Sequence, residues 1–298
     1  MTTRMTGIAL AFVTALISGV SIYVNSHGVK HFSDATVYTT AKNAVAGVVL
    51  LVLLLATSAR AEAPAVVRGR WPALLTVAVI GGSVPFVLFF DGLKDSEATQ
   101  AAFIQKTLVV WVALLAVPLL RERFQWPHGL AIALLLAGQA WLVGSLGTVA
   151  FGKGEAMILA ATLLWSVEIV YVKYLLPSIP PSVLAVARMA LGTVVLLCWL
   201  AVTGKLGDLT ALTALQWRWA LLTGLLLAAY VATWFAALAR AQAIDVTAVL
   251  VFGAVVTAVL SGVVDGVAIG AGGTILIAVG SGLVAWNALR RAPAEVAT

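Results

Sequence analysis

Charged side chains are scarce in this sequence. Asp, Glu, Lys and Arg make up 10% of its 298 residues, whereas soluble domains carry roughly 25%. Hydrophobic residues make up 62%, and a globule of this size cannot bury that much apolar surface. We therefore expect the chain to be a membrane protein with lipid as its main solvent.

Several chemical signatures are also missing. The single cysteine, Cys198, excludes an internal disulfide and a cysteine-based metal cluster. No G-x-x-x-x-G-K-[ST] or H-E-x-x-H occurs, which excludes a nucleotide-driven pump and a zinc protease. Two aspartates, Asp91 and Asp245, lie at span ends and do not suggest an aspartyl dyad. We predict that the chain is not an enzyme and needs no cofactor or metal.

The charges that remain are mostly basic, with a net charge of +6. They lie mainly in loops, so we interpret them as topogenic charge and expect no nucleic-acid partner. With the N-terminus inside, the cytoplasmic segments hold ten Lys and Arg residues and the external segments hold five. The positive-inside rule then predicts cytoplasmic positions for both termini. The three histidines lie near predicted span ends, where we expect them to be solvated: His27, His31 and His128.

Long apolar runs predict an all-α membrane protein, because backbone groups in lipid must bond within their own segment. The ten predicted spans are 5–27, 35–57, 73–93, 98–119, 126–145, 154–176, 181–203, 218–238, 243–264 and 269–289.

The chain also resembles itself at an offset of 146 residues, where Lys42 falls on Arg188. Glycines are nine apart in spans five and ten. We predict two five-helix repeats, 5–145 and 154–289, of opposite orientation because each has an odd number of spans. Inverted repeats are the architecture of many secondary transporters, with the substrate held between the halves near the midplane.

The sequences "LLRERFQWPHGLAIALLLAGQAWLV" (119–143) and "FIQKTLVVW" (103–111) carry a resemblance. They are similar to the ten-helix exporters of the drug/metabolite transporter superfamily, and closest to the bacterial aromatic amino acid exporters. The resemblance implies a monomeric, multi-pass protein of the bacterial inner membrane, with a cavity lined by helices one, three, four, six, eight and nine. Many members have a proline early in helix four, where this chain has Gln105-Lys106-Thr107.

Ionisable residues inside spans are costly unless they face a cavity or a partner. Lys106 can attract a substrate carboxylate or pair structurally. Glu168 can bind a substrate ammonium, exchange a proton, or pair with Lys42 or Arg188. For Lys42 and Arg188 themselves we favour structural pairing, because the resemblance does not place their helices around the cavity.

Polar and aromatic residues at helical spacing add a candidate lining, typical of a site for an amphipathic zwitterion. The predicted substrate-binding residues are Lys106, Phe103, Ser18, Ser21, Asn25, Trp165, Glu168, Tyr230 and Trp234. We predict a secondary exporter of aromatic and other amphipathic amino acids, with proton coupling as an option. The alternatives are a transporter of phosphorylated metabolites such as nucleotide sugars and, less favoured, a channel or an intramembrane enzyme.

Overall fold

A computed structural model describes residues 3–96, 98–143, 151–266 and 270–290, and every regular element in these ranges is helical. The α-helices are α1 (Thr3–Gly28), α2 (Ala35–Leu55), α3 (Ala63–Val77), α4 (Val84–Lys94), α5 (Ala98–Lys106), α6 (Leu108–Leu120), α7 (Trp126–Val143), α8 (Lys153–Leu175), α9 (Pro181–Val186), α10 (Gly192–Val202), α11 (Leu206–Thr210), α12 (Ala214–Leu238), α13 (Ala243–Leu250), α14 (Gly253–Asp265) and α15 (Ala271–Arg290).

Eight helical stretches in the described ranges are long and apolar enough to cross a bilayer. They are Thr3–His31, Ala35–Leu55, Ala63–Gly92, Phe103–Leu120, Lys153–Leu175, Pro181–Val202, Ala214–Leu238 and Ala243–Asp265. The helices α7 and α15, which cover the fifth and tenth predicted spans, pack along each other. The all-α membrane fold is thus confirmed, while the ten spans and their inverted repeat stay predictions.

The outer surface of the bundle is apolar. Large hydrophobic side chains such as Val52, Leu114 and Val263 are more than half exposed. Soluble monomers rarely expose continuous apolar surface of this kind. The exposed side chains therefore mark the face that contacts lipid.

Two spans contain a π-helical segment, at 78–83 and 187–191. The first ends at Ser83, whose backbone leaves helical geometry (φ −136°, ψ −71°) immediately before α4. Pro85, in the first turn of α4, has no amide N–H to donate back along the chain. The chain therefore kinks immediately before Pro85, and the kink leaves the preceding turn open to partners from other helices.

The third and fourth spans differ from their predicted outlines, and the ninth is divided between α13 and α14. The third begins at Ala63, ten residues earlier than predicted, because the helix continues past the basic run with only a kink at Arg70 (φ −129°). The fourth is divided at Thr107, between α5 and α6. The Thr107 hydroxyl donates to the carbonyl of Ile104 at 2.6 Å, a bond that competes with regular helix hydrogen bonding.

Glycines allow the helices to approach closely around the centre of the bundle. A Cβ added at Gly19 in α1 would lie 2.5 Å from the carbonyl oxygen of Gly253 in α14. A Cβ added at Gly82 would lie 1.8 Å from the carbonyl oxygen of Arg188. The two π-helical segments are therefore in direct backbone contact, and this contact positions the charged side chains described below.

Candidate functional site

A cavity of 280 Å³ lies between the helices, close to the lower limit of roughly 300–1,000 Å³ that is usual for small-molecule sites. Side chains from α1, α4, α5, α6, α8, α12 and α13 line it, together with Lys42 of α2 and Arg188 of the second π-helical segment. Its lining extends to exposed Ser26 and to Val29, at the junction between α1 and α2.

Eight of the nine predicted binding residues line this cavity: Ser18, Ser21, Asn25, Lys106, Trp165, Glu168, Tyr230 and Trp234. Phe103 is half-buried but does not belong to the lining. The structure thus brings together polar groups of α1 and aromatic groups of α8 and α12 that are far apart in the sequence.

One wall of the cavity is aromatic. Trp165 packs edge-on against Phe86, with ring centroids 5.4 Å apart, and tilted against Phe89 at 5.6 Å. On α12, Tyr230 and Trp234 stack with ring centroids 6.0 Å apart. These rings form an apolar surface that suits a flat or bulky side chain.

Trp165 is held in place by the kink in the third span. Its indole Nε1 donates to the carbonyl oxygen of Gly81 at 3.1 Å. In an α-helix that carbonyl would accept from the amide of residue 85, and Pro85 has none. The proline therefore frees the acceptor that orients the tryptophan.

Lys106 lies in the last turn of α5, with a relative exposure of 8%. Its ammonium group has no hydrogen-bond or ion-pair partner among the residues that the structure describes. A cation at the C-terminal end of a helix is favoured by the carbonyl groups there. Within the described part of the chain, this charge is therefore available to a solute in the cavity.

Glu168 and Arg188 form a buried pair, with Glu168 Oε1 at 3.4 Å from Arg188 Nε. Glu168 has no exposed surface, and neither of its carboxylate oxygens has a hydrogen-bond donor in the described ranges. Gly81 leaves the space for this side chain, because a Cβ there would lie 2.5 Å from Glu168 Cγ. The expected ion pair between Glu168 and Arg188 is thus present. The Glu168 carboxylate can still accept hydrogen bonds.

Lys42 contacts an amide oxygen and aromatic rings, and no carboxylate pairs with it in the described ranges. Its Nζ donates to Asn25 Oδ1 at 2.9 Å and lies 4.7 Å from the ring centroid of Phe90 and 5.1 Å from that of Tyr38. Both Lys42 and Arg188 line the cavity, although other helices supply most of its lining. The 146-residue offset was the sequence signal that could have identified both cations as a pair.

The end of the bundle that holds Arg4 and Asn287, here called the terminal end, is closed by a polar network. Asp245 Oδ2 accepts from Arg4 at 2.8 Å, and Asp245 Oδ1 lies 3.1 Å from His128 Nε2. Asn287 Nδ2 lies 3.2 Å from the same His128 nitrogen. The network joins α1, α7, α13 and α15.

His128 was expected to be solvated, and that expectation was wrong. Its side chain is 1% exposed, because the first turn of α7 packs against α13 and α15. The amide of Gln125 donates to His128 Nδ1 at 2.9 Å. His128 Nδ1 therefore acts as an acceptor, and Nε2 faces Asp245.

Glu122 completes this end by capping α13. Its two carboxylate oxygens accept from the amides of Ala243 at 2.6 Å and Ile244 at 3.1 Å. Burial raises the pKa of the Glu122 carboxyl, although the two amides and Lys173 act in the opposite direction. Lys173 donates to the carbonyls of Leu238 at 2.5 Å and Ala241 at 2.6 Å, at the end of α12.

At the other end of the bundle, Asp34 caps α2 and accepts from Lys205 at 2.5 Å. Burial acts to raise the pKa of Asp34, but Lys205 and the amides of Thr36 and Val37 outweigh it and lower the pKa below its usual value. The hydrogen bond to Asp34 raises the pKa of Lys205 in turn.

The described residues contain no group of three or more His, Cys, Asp and Glu side chains that could hold a metal ion. What the cavity offers is a binding surface: an aromatic wall, the cations Lys42, Lys106 and Arg188, and the carboxylate of Glu168.

Comparison with known proteins gives a consistent result. The chain matches the EamA-like transporter family over residues 5–144 and again over 152–286. An uncharacterised transporter of Synechocystis sp. is 27% identical over 190 residues, 60% of this chain and 54% of that protein. One from Methanothermobacter thermautotrophicus is 29% identical over 113 residues, 36% of this chain and 33% of that protein. The matched part of the chain thus spans about half or less of these relatives.

The fold has a counterpart among solved structures. One protein, described only as a crystal structure of a protein, superimposes with a TM-score of 0.77. The alignment covers 94% of this chain and 98% of that one, at 18% sequence identity. Identity this low supports a shared fold and nothing finer.

Proposed function

The chain belongs to the EamA-like transporter family, and from that premise we propose that it is a secondary exporter of amino acids with aromatic or other bulky apolar side chains. The observation that carries the proposal is the cavity, which combines an aromatic wall with separate cationic and anionic groups. A zwitterion with an apolar side chain has the matching set of groups.

Each part of such a solute has a counterpart in the lining. Lys106, which has no partner in the described ranges, receives the carboxylate. Glu168 has two oxygens without hydrogen bonds and receives the ammonium. The side chain packs against Trp165 and the stacked pair of Tyr230 and Trp234. The polar face of α1 (Ser18, Ser21 and Asn25) completes the site.

A second candidate is a small phosphorylated metabolite. Three cations line the cavity, against one carboxylate among its described lining residues, and an excess of positive charge favours an anion. The volume of 280 Å³ disfavours nucleotide sugars, which are several times larger than an amino acid. Both candidates therefore share an acidic group and a small size.

Transport by alternating access requires that the site open to each side in turn. We place both termini in the cytoplasm from the excess of Lys and Arg in the corresponding loops, and the protein in a bacterial inner membrane from its resemblance to bacterial exporters. The two five-helix repeats, 5–145 and 154–289, would then rock about the cavity in a monomer. Glu168 is the group proposed to exchange a proton if transport is coupled to the proton gradient.

Uptake of labelled phenylalanine, tyrosine and tryptophan into proteoliposomes tests the proposal. Wild-type protein should give saturable uptake that unlabelled substrate competes away, and Lys106→Gln should reduce uptake at least tenfold. Lys153→Gln is the matched control, because Lys153 is exposed at the start of α8, outside the cavity, and its replacement should leave uptake unchanged. Folded wild-type protein that transports no amino acid in the panel, while phosphorylated metabolites are taken up, would favour the second candidate.

A further inference from the structure

We infer that Lys42, held in place by Asn25, forms a second anion subsite in the cavity, separate from Lys106, for a carboxylate, a phosphate or an inorganic anion. The inference rests on the proposed function only in that it concerns the same cavity.

The geometry of Lys42 leaves donors available. Its side chain is 4% exposed and lines the cavity. An ammonium group has three N–H donors, and the described contacts use one, to Asn25 Oδ1 at 2.9 Å. The rings of Tyr38, Phe86 and Phe90 lie within 5.8 Å of Nζ and stabilise its charge without using a donor.

Asn25 is fixed in the orientation that this arrangement needs. Its Nδ2 donates to the backbone carbonyl of Ser21 at 2.7 Å. Its Oδ1 accepts from the hydroxyl of Tyr38 at 2.7 Å in addition to Lys42. The Lys42 ammonium group is therefore held at one position beside the cavity.

Comparison with Arg188 shows what Lys42 lacks. Lys42 and Arg188 are 146 residues apart, and so are Ile22 and Glu168. Glu168 supplies the carboxylate for Arg188 at 3.4 Å, whereas the position 146 residues before Glu168 holds the apolar Ile22, which also lines the cavity. In the described ranges, Lys42 has no carboxylate partner, and a buried charge without one costs several kcal/mol. The missing negative charge is supplied by the solute.

The same comparison provides the test. Ile22→Glu places a carboxylate where the other half of the chain has Glu168, so it should neutralise Lys42 and exclude an external anion. Ile22→Gln is the matched control, because glutamine has the shape of glutamate but carries no charge. Because Ile22 lies on the cavity wall and is only half-buried, both variants should fold, as gel filtration would verify.

Thermal unfolding of the purified protein in dilute Tris buffer without added salt, titrated with chloride, acetate, phosphate or succinate, measures anion binding. We expect anions to raise the unfolding temperature of the wild type and of Ile22→Gln. The concentration required should increase at least tenfold in Ile22→Glu and in Lys42→Gln. Equal titrations of Ile22→Glu and Ile22→Gln, or no anion effect on the wild type, would overturn the inference.

The anion that acts at the lowest concentration identifies which kind of solute supplies the negative charge beside Lys42. Succinate acting at a tenth or less of the acetate concentration would indicate that one solute bridges Lys42 and Lys106 with two acidic groups. Chloride acting as well as succinate would indicate a separate inorganic ion beside a zwitterion. Either result supports the subsite. A failure of amino-acid uptake would leave these titrations unaffected, so the two proposals are tested separately.

Discussion

Replacing Trp165 with phenylalanine tests whether the proline kink and the cavity wall are coupled. The substitution removes the indole N–H and leaves the carbonyl of Gly81 without the bond of 3.1 Å. An unsatisfied buried acceptor costs about 1–3 kcal/mol, and the smaller ring adds a loss of packing. Both losses should lower the unfolding temperature.

A double-mutant cycle with Pro85→Ala separates the two losses. Alanine restores an amide at position 85 that can donate to the carbonyl of Gly81, so Trp165→Phe should then lose only its packing. The coupling should be at least about 1 kcal/mol. For domains of 150–250 residues, 1 kcal/mol shifts the unfolding temperature by roughly 2–4 °C. The decrease caused by Trp165→Phe should therefore be smaller in the Pro85→Ala background than in the wild type, by at least about 2 °C.

The assay is thermal unfolding of the four purified proteins in the same detergent, followed by gel filtration. Trp199→Phe is the control, because Trp199 is 49% exposed on α10 and should show no coupling to residue 85. Equal effects of Trp165→Phe in both backgrounds would refute the idea that the kink frees the acceptor for the tryptophan.

Two further predictions concern packing and charge. Gly82→Ala should abolish folded protein in gel filtration, because its Cβ would lie 1.8 Å from the carbonyl oxygen of Arg188; Gly69→Ala, with no heavy atom within 4 Å of the added Cβ, should elute as the wild type does. Lys205→Met should lower the unfolding temperature near pH 7, because the pKa of Asp34 is lowered in the folded protein and its contribution is present above its ordinary pKa. This difference from wild type should shrink below about pH 4; a constant difference across that range would contradict the assignment.

The parts of the fold that were predictable depend on local information. Apolar runs indicated the eight spans found in the described ranges, and the spacing of Ser18, Ser21 and Asn25 placed them on one face that the structure directs into the cavity. The position of Lys106 within a span marked it as costly to bury, and the structure leaves it without a partner in the described ranges.

The parts that were missed depend on contacts between distant helices. Nothing near Lys42 in the sequence shows that Phe86 and Phe90 surround its ammonium group. The burial of His128 likewise depends on Asp245, more than a hundred residues away. Hydropathy gives the length of a helix, but not which of its polar residues a neighbouring helix will cover.

The network at the terminal end also has a kinetic consequence. If the cavity opens alternately to both sides, α1 and α7 must move relative to α13, and Asp245 must lose Arg4 and His128. Separating a buried carboxylate from its partners costs roughly 3–5 kcal/mol, and each ~1.4 kcal/mol slows a step tenfold. In that case the network would limit how often the cavity opens at the terminal end, and a variant that weakens these bonds would open there more often.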